Sequence, residues 1–242
     1  MIRIGCSGWN YRHWRGRFYP DRLPVKRWFG HYAATFDTVE INASFYRLPS
    51  PEIFERWQKA APHGFCYAVK APRFITHMRK LKDAGESIER FTRHARSLGS
   101  ALGPVLFQLP PRWHVDEERL SSFLGILPDD IVPVFEFRDS SWVSEDILRL
   151  LDSRRASFCA HDMPGLTTPR WAAGPIAYVR FHGTLGKYHG RYSTAALADW
   201  RDWMLDQQKR GRAVWAYFNN DIEGHAVADA LALRQLIDDA SR

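Results

Sequence analysis

Eight short apolar or β-branched runs punctuate this chain: residues 2–6, 38–42, 65–70, 104–109, 132–138, 156–161, 176–182 and 213–218. They begin about 30 residues apart, the length that a strand–helix–strand unit with parallel strands requires. Helical patterns fill most of the intervals. Pro24 to Phe36 carries Trp28, Tyr32 and Phe36 at a spacing of four. Ser50-Pro51 supplies a cap and a first-turn proline ahead of Ile53, Phe54 and Trp57. Residues 86–99, 116–125, 144–153, 194–209 and 224–238 read as further helices, with Asp116 and Ser144 as caps. The interval 162–175 holds three prolines, so a short or missing sixth helix is expected there. Eight such units in 242 residues predict an α/β fold, a (β/α)8 TIM-type barrel forming one domain over residues 1–242. A doubly wound open sheet is the competing fold. It would want GxGxxG after the first strand, where the chain reads Ser7-Gly8-Trp9-Asn10-Tyr11.

The fifth run, Val134-Phe135-Glu136-Phe137-Arg138, shows how such a barrel would place polar groups. Alternation puts Phe135 and Phe137 on one face, and Val134, Glu136 and Arg138 on the other. Other runs also end in polar side chains. Ser7 closes the first, Glu40 and Asn42 the second, Lys70 the third and Gln108 the fourth. His161 and Asp162 close the sixth, Arg180 and His182 the seventh, and Asn219, Asn220 and Asp221 the eighth. Barrel chemistry gathers at the carboxyl ends of strands, and a buried polar group is costly unless paired. These tips are therefore expected to converge on one site. The competing reading is a salt-bridge lattice in which Glu40, Glu136, Lys70, Arg138 and Arg180 neutralise one another.

A net charge of +7 favours phosphorylated or nucleic-acid partners. Glu40, Glu136, His161 and His182 are the candidate proton-transfer groups. Trp9, Tyr11, Asn42, Tyr46, Lys70, Gln108, Arg138, Arg180, Lys187, Asn219 and Asn220 are the candidate ligand contacts. The two glutamates could act as a glycosidase pair, but neighbouring Arg and Lys would keep both ionised, which disfavours a general acid. Glu136, His161, Asp162 and His182 are metal-ligand types without HxH or HxxxH spacing, so no resident cofactor is expected and a divalent metal is the minor alternative. His13, His77 and His225 read as solvated loop residues.

Two loops have phosphate-binding character: the glycine-rich stretch from His182 to Arg191, and Asn219-Asn220-Asp221 leading into a helix. The first loop, from Trp9 to Tyr19, interleaves rings with Arg12, Arg15 and Arg17. It could stack bases, or it could plug the barrel as core. Cys6, Cys66 and Cys159 form no CxxC and read as reduced thiols of a cytoplasmic protein. No run is long enough for a membrane helix, and the chain enters a strand too soon for a signal peptide.

Several of these stretches resemble the domain of unknown function 72 family, the YecE-like barrels. Gly5-Cys6-Ser7-Gly8-Trp9-Asn10-Tyr11 through Phe18-Tyr19-Pro20 is similar to its opening motif. Thr38-Val39-Glu40-Ile41-Asn42 with Phe45-Tyr46-Arg47-Leu48-Pro49, Val69-Lys70 with Thr76-His77, and Gly103 to Pro111 continue the likeness. So do Glu136-Phe137-Arg138 with Trp142, Arg180-Phe181-His182-Gly183 and Tyr217 to Asp221. Cys6 departs from the Thr or Ser usual there. The resemblance implies a triosephosphate-isomerase-type barrel and supplies no reaction. A nucleic-acid role follows only from fold-level likeness to barrel endonucleases.

Overall fold

The computed structural model describes residues 1–186 and 188–240. Its strands are β1 (Ile2–Cys6), β2 (Thr38–Ile41), β3 (Cys66–Lys70), β4 (Leu102–Gln108), β5 (Pro133–Glu136), β6 (Ser157–Asp162), β7 (Ile176–Phe181) and β8 (Ala213–Phe218). All eight lie within two residues of the expected runs. Its α-helices among the described residues are α1 (Trp28–Thr35), α2 (Ala43–Tyr46), α3 (Pro51–Ala60), α4 (Gly85–Ala95), α5 (Glu117–Leu124), α6 (Glu145–Ser153), α7 (Thr194–Lys209) and α8 (His225–Ala240). The sheet order is β1-β8-β7-β6-β5-β4-β3-β2, and the registered pairs are parallel. This is the (β/α)8 plan.

Helix starts follow local chemistry. Asp116, Ser144 and Ser193 each accept a backbone N–H three residues on, capping α5, α6 and α7. Pro51 opens α3 as expected, but Ser50 makes no such bond. Its hydroxyl instead bonds Glu52 and holds that carboxyl below the usual range.

Residues 163–175 contain no helix. Side chains do a helix's work there. Thr168 accepts the His161 N–H at 2.8 Å, and its own N–H bonds the His161 carbonyl. Arg170 lies over Trp200 of α7, and the Trp203 indole donates to its carbonyl. Gly174 sits at φ +74°, where an added Cβ would lie 2.3 Å from the Ala156 carbonyl oxygen. Only glycine lets the returning chain approach that closely.

The chain forms two compact units. One comprises Met1–Glu40, Ala160–Arg170 and Ile176–Arg242; the other comprises Ile41–Cys159 and Trp171–Pro175. In the first, Phe181 and Phe218 stack at 4.3 Å, and Phe181 packs edge-on to Trp200. The Trp14, Tyr19 and Trp28 rings are buried together, Tyr19 stacking on Trp28 at 4.7 Å. In the second, Phe107 stacks on Phe135, with Phe123 of α5 edge-on to both. Phe137 stacks on Trp142 at 5.1 Å. The aromatic face of the fifth run is thus the helix-facing side, and each fully buried ring contributes on the order of 2–3 kcal/mol.

No helix among the described residues is long and apolar enough to cross a membrane. Cys6, Cys66 and Cys159 are free thiols, and burial pushes the Cys6 thiol up.

Candidate functional site

In the Met1–Glu40 unit, Glu40 of β2 is fully buried. Its Oε1 accepts from Ser7 Oγ at 2.6 Å and from Arg180 Nη2 at 2.7 Å; Oε2 accepts from the Tyr178 hydroxyl at 2.7 Å. Arg180 and Tyr178 are two residues apart on β7, so alternation brings both to one face. Burial and the Glu40 charge raise the Tyr178 phenol well above its usual range, leaving it a neutral donor. A carboxylate taking three donors is well satisfied, and the geometry is that of an internal pin.

The same unit holds His161 and His182, both buried, with ring centroids 6.0 Å apart at 78°. The Asn219 amide nitrogen lies 3.2 Å from His182 Nδ1. Asn220 turns elsewhere. Its Nδ2 donates to Asp229 Oδ2 at 2.8 Å and to the Gly190 carbonyl at 2.9 Å. Asp229, on α8, also accepts the Tyr192 N–H and Arg191 Nε. This buried carboxylate fastens the stretches after β7 and β8, and only an Asp inside an otherwise helical pattern hinted at it. The glycine-rich loop folds on itself: the Tyr188 N–H bonds the His182 carbonyl at 2.7 Å, and a Cβ at Gly183 would meet the His189 carbonyl. Lys187 lies outside the described residues. Trp9 is half-buried edge-on to Phe29, and Tyr11 donates to the Ser7 carbonyl. Trp14 and Tyr19 of this loop are buried and pack with Trp28 of α1 as core, whereas Trp9, Tyr11 and Phe18 are half-buried.

In the Ile41–Cys159 unit, register explains a second cluster. Gln108 of β4 pairs with Glu136 of β5, and Lys70 of β3 pairs with Leu106, two residues before Gln108. Lys70, Gln108 and Glu136 therefore share one face of three neighbouring strands. Gln108 Nε2 donates to Glu136 Oε1 at 3.1 Å, and Arg138 Nη2 pairs with the same oxygen.

Lys70 Nζ lies 4.0 Å from the Phe45 ring centroid, and the His77 ring is edge-on to that ring at 5.0 Å. His77 is not the solvated loop residue the sequence suggested. It sits in a one-turn π-helix, Phe74–Met78, and Thr76 Oγ1 lies 2.9 Å from its Nδ1. Burial first, then Lys70, Arg73 and Arg138, lower it from 6.5 to about 4, with Glu136 opposing. The named aromatic, Tyr46, is 74% exposed, whereas its neighbour Phe45 makes the contacts. Asn42 ends β2 at the start of α2, its carbonyl accepting the Phe45 N–H. Among the described residues no three His, Cys, Asp or Glu side chains are grouped to hold a metal ion.

A family model described as "Protein of unknown function DUF72" matches residues 3–242. The chain belongs to the DUF72 family. It is 28% identical to the UPF0759 protein YunF of Bacillus subtilis, covering 98% of this chain and 95% of that one. A crystal structure of a DUF72 family protein from Thermotoga maritima superposes with a TM-score of 0.90 at 27% identity, covering 98% and 99% of the two chains. The structure of an L-ribulose 3-epimerase matches at 0.56 and 16% identity over 100% and 97%. That last likeness concerns fold alone. Within the opening stretch, Tyr11 reaches back to Ser7 while Ser7 reaches Glu40.

Proposed function

We propose that this DUF72 chain binds an anionic, phosphoryl-type ligand at the ends of β3, β4 and β5. The carrying observation is the arrangement of Lys70, Arg73 and Arg138 about His77, with Glu136 the one acid acting on that ring. A ligand anion would offset this excess of positive charge. Lys70 and Arg138 supply charge, Gln108 supplies an amide beside Glu136, and Phe45 fixes the Lys70 ammonium. His77 is neutral at pH 7, first because it is partly buried and then because Lys70, Arg73 and Arg138 act on it. An arriving anion favours its protonated form, which makes it the group of this cluster able to take up a proton on binding. Glu136, paired with Arg138, is the carboxylate placed to accept one as a general base. On this reading a hydrolase or isomerase step would use His77 and Glu136, while Glu40 serves Arg180 as a pin. His161 and His182, with Asn219, form a separate buried pair on which the binding reading does not depend.

The test is isothermal titration of the whole protein with sulfate and with inorganic phosphate at low ionic strength. Saturable binding is expected, weakening with added salt and by about tenfold or more in Lys70→Ala and Arg138→Ala, since hydrogen bonds to charged groups contribute about 1.5–3 kcal/mol. Absent binding, or equal binding in both variants, rejects the reading. Binding of a single-stranded oligonucleotide with none of sulfate would move it to nucleic acid.

A further inference from the structure

A concavity adjoins the Phe45 ring. It encloses about 430 Å³ between α2, the π-helix and α4. That volume falls within the few-hundred to about 1,000 Å³ range of small-molecule pockets. Phe45, Leu48, Phe74 and Met78 line it with apolar surface, and Arg73 and Arg90 stand on its walls. Neither arginine has an acidic partner among the described residues. Phe74 is 40% and Met78 65% exposed, so the concavity keeps large apolar groups in contact with water.

The backbone around it is also unusual. A one-turn π-helix is rare and recurs at functional positions.

We propose that this cleft is a binding site for an organic anion with a flat apolar body, such as an aryl phosphate. The body would lie against Phe45, Phe74 and Met78, whose thioether adapts to ring edges. The charged group would be taken by Arg73 and Arg90, whose planar forks suit phosphate or carboxylate oxygens. Charge complementarity selects this occupant over a neutral apolar one. Arg90 belongs to this cleft and not to the strand-tip cluster, so the cleft stands whether or not Lys70 and Arg138 bind an anion.

The chain's four methionines make the test direct. The full protein is labelled at the methionine methyls and titrated with phenyl phosphate, inorganic phosphate and phenol. Met78 is assigned from Met78→Leu. Met163 and Met204 are buried and serve as internal controls. Phenyl phosphate is expected to shift the Met78 methyl saturably, with affinity about tenfold weaker in Arg90→Ala. Arg138→Ala, at the end of β5 and outside the cleft lining, should leave that response unchanged, which separates failure here from failure at the strand tips. The proposal is overturned by no saturable shift, by phenol acting as strongly as phenyl phosphate, by an unchanged affinity in Arg90→Ala, or by loss of the response in Arg138→Ala. A Met78 shift that follows protein concentration without ligand would name a second copy of the chain as the occupant and likewise overturn it.

Discussion

Two glutamate–arginine pairs occupy strand tips in this protein, and they are built for different ends. Glu40 and Arg180 come from residues 140 apart in sequence, are almost wholly buried, and are closed off by Ser7 and Tyr178. Glu136 and Arg138 are neighbours on one strand end, and the arginine keeps 10% of its side chain in solvent. Around the first pair, neutral hydroxyls complete the carboxylate's shell. Around the second, further cations accumulate, and together with burial, the larger cause, they keep a nearby histidine unprotonated at neutral pH. The residue types are the same. What separates a fastening from a site is the charge of the next neighbours.

The strongest test of that contrast is Arg180→Ala. It strands a buried carboxylate, and the cost is expected at about 3–5 kcal/mol in urea unfolding. A loss below about 1 kcal/mol would break the distinction. Arg138→Ala should cost only about 1–2 kcal/mol, because positive charge remains on the same strand tips, while weakening sulfate binding about tenfold or more. Tyr178→Phe removes one donor to a carboxylate and should cost on the order of 1–2 kcal/mol, with sulfate affinity unchanged. His77 gives a pH signature. Its folded pKa lies below the unfolded 6.5, so between about 6.5 and 4 the unfolded chain binds a proton that the folded one does not. Stability should therefore fall as pH drops through that window, more steeply than in His77→Gln, and sulfate should bind more tightly as the ring charges. Smallest of all, Tyr46→Ala should change stability by less than about 0.5 kcal/mol and binding not at all, whereas Phe45→Ala should weaken binding.

Strands were legible because period-two alternation and turn residues bracket them, and the Asp116 and Ser144 caps because a short polar side chain precedes an apolar helix face. The missing helix before β7 was legible in Pro164, Pro169 and Pro175. The π-helix was not: its extra residue per turn leaves no compositional mark, so His77 passed for a loop histidine. Adjacent rings Phe45 and Tyr46 could not be sorted either, because α2 is only four residues long and offers no period to read. The strand-tip list named both glutamate–arginine pairs. It could not tell them apart, since their surroundings depend on Ser7, Tyr178 and Arg73, which come from other strands and loops.

Asp229 carries a consequence for how the chain matures. Its carboxylate holds Arg191, Tyr192 and Asn220, all of which leave the ribosome before it does. The loops after β7 and β8 must therefore wait, untied, until α8 has been made and has swung into place. During that interval a protease cutting between His182 and Tyr192 would find its best opportunity, and an Asp229→Asn chain would keep offering it after synthesis had finished.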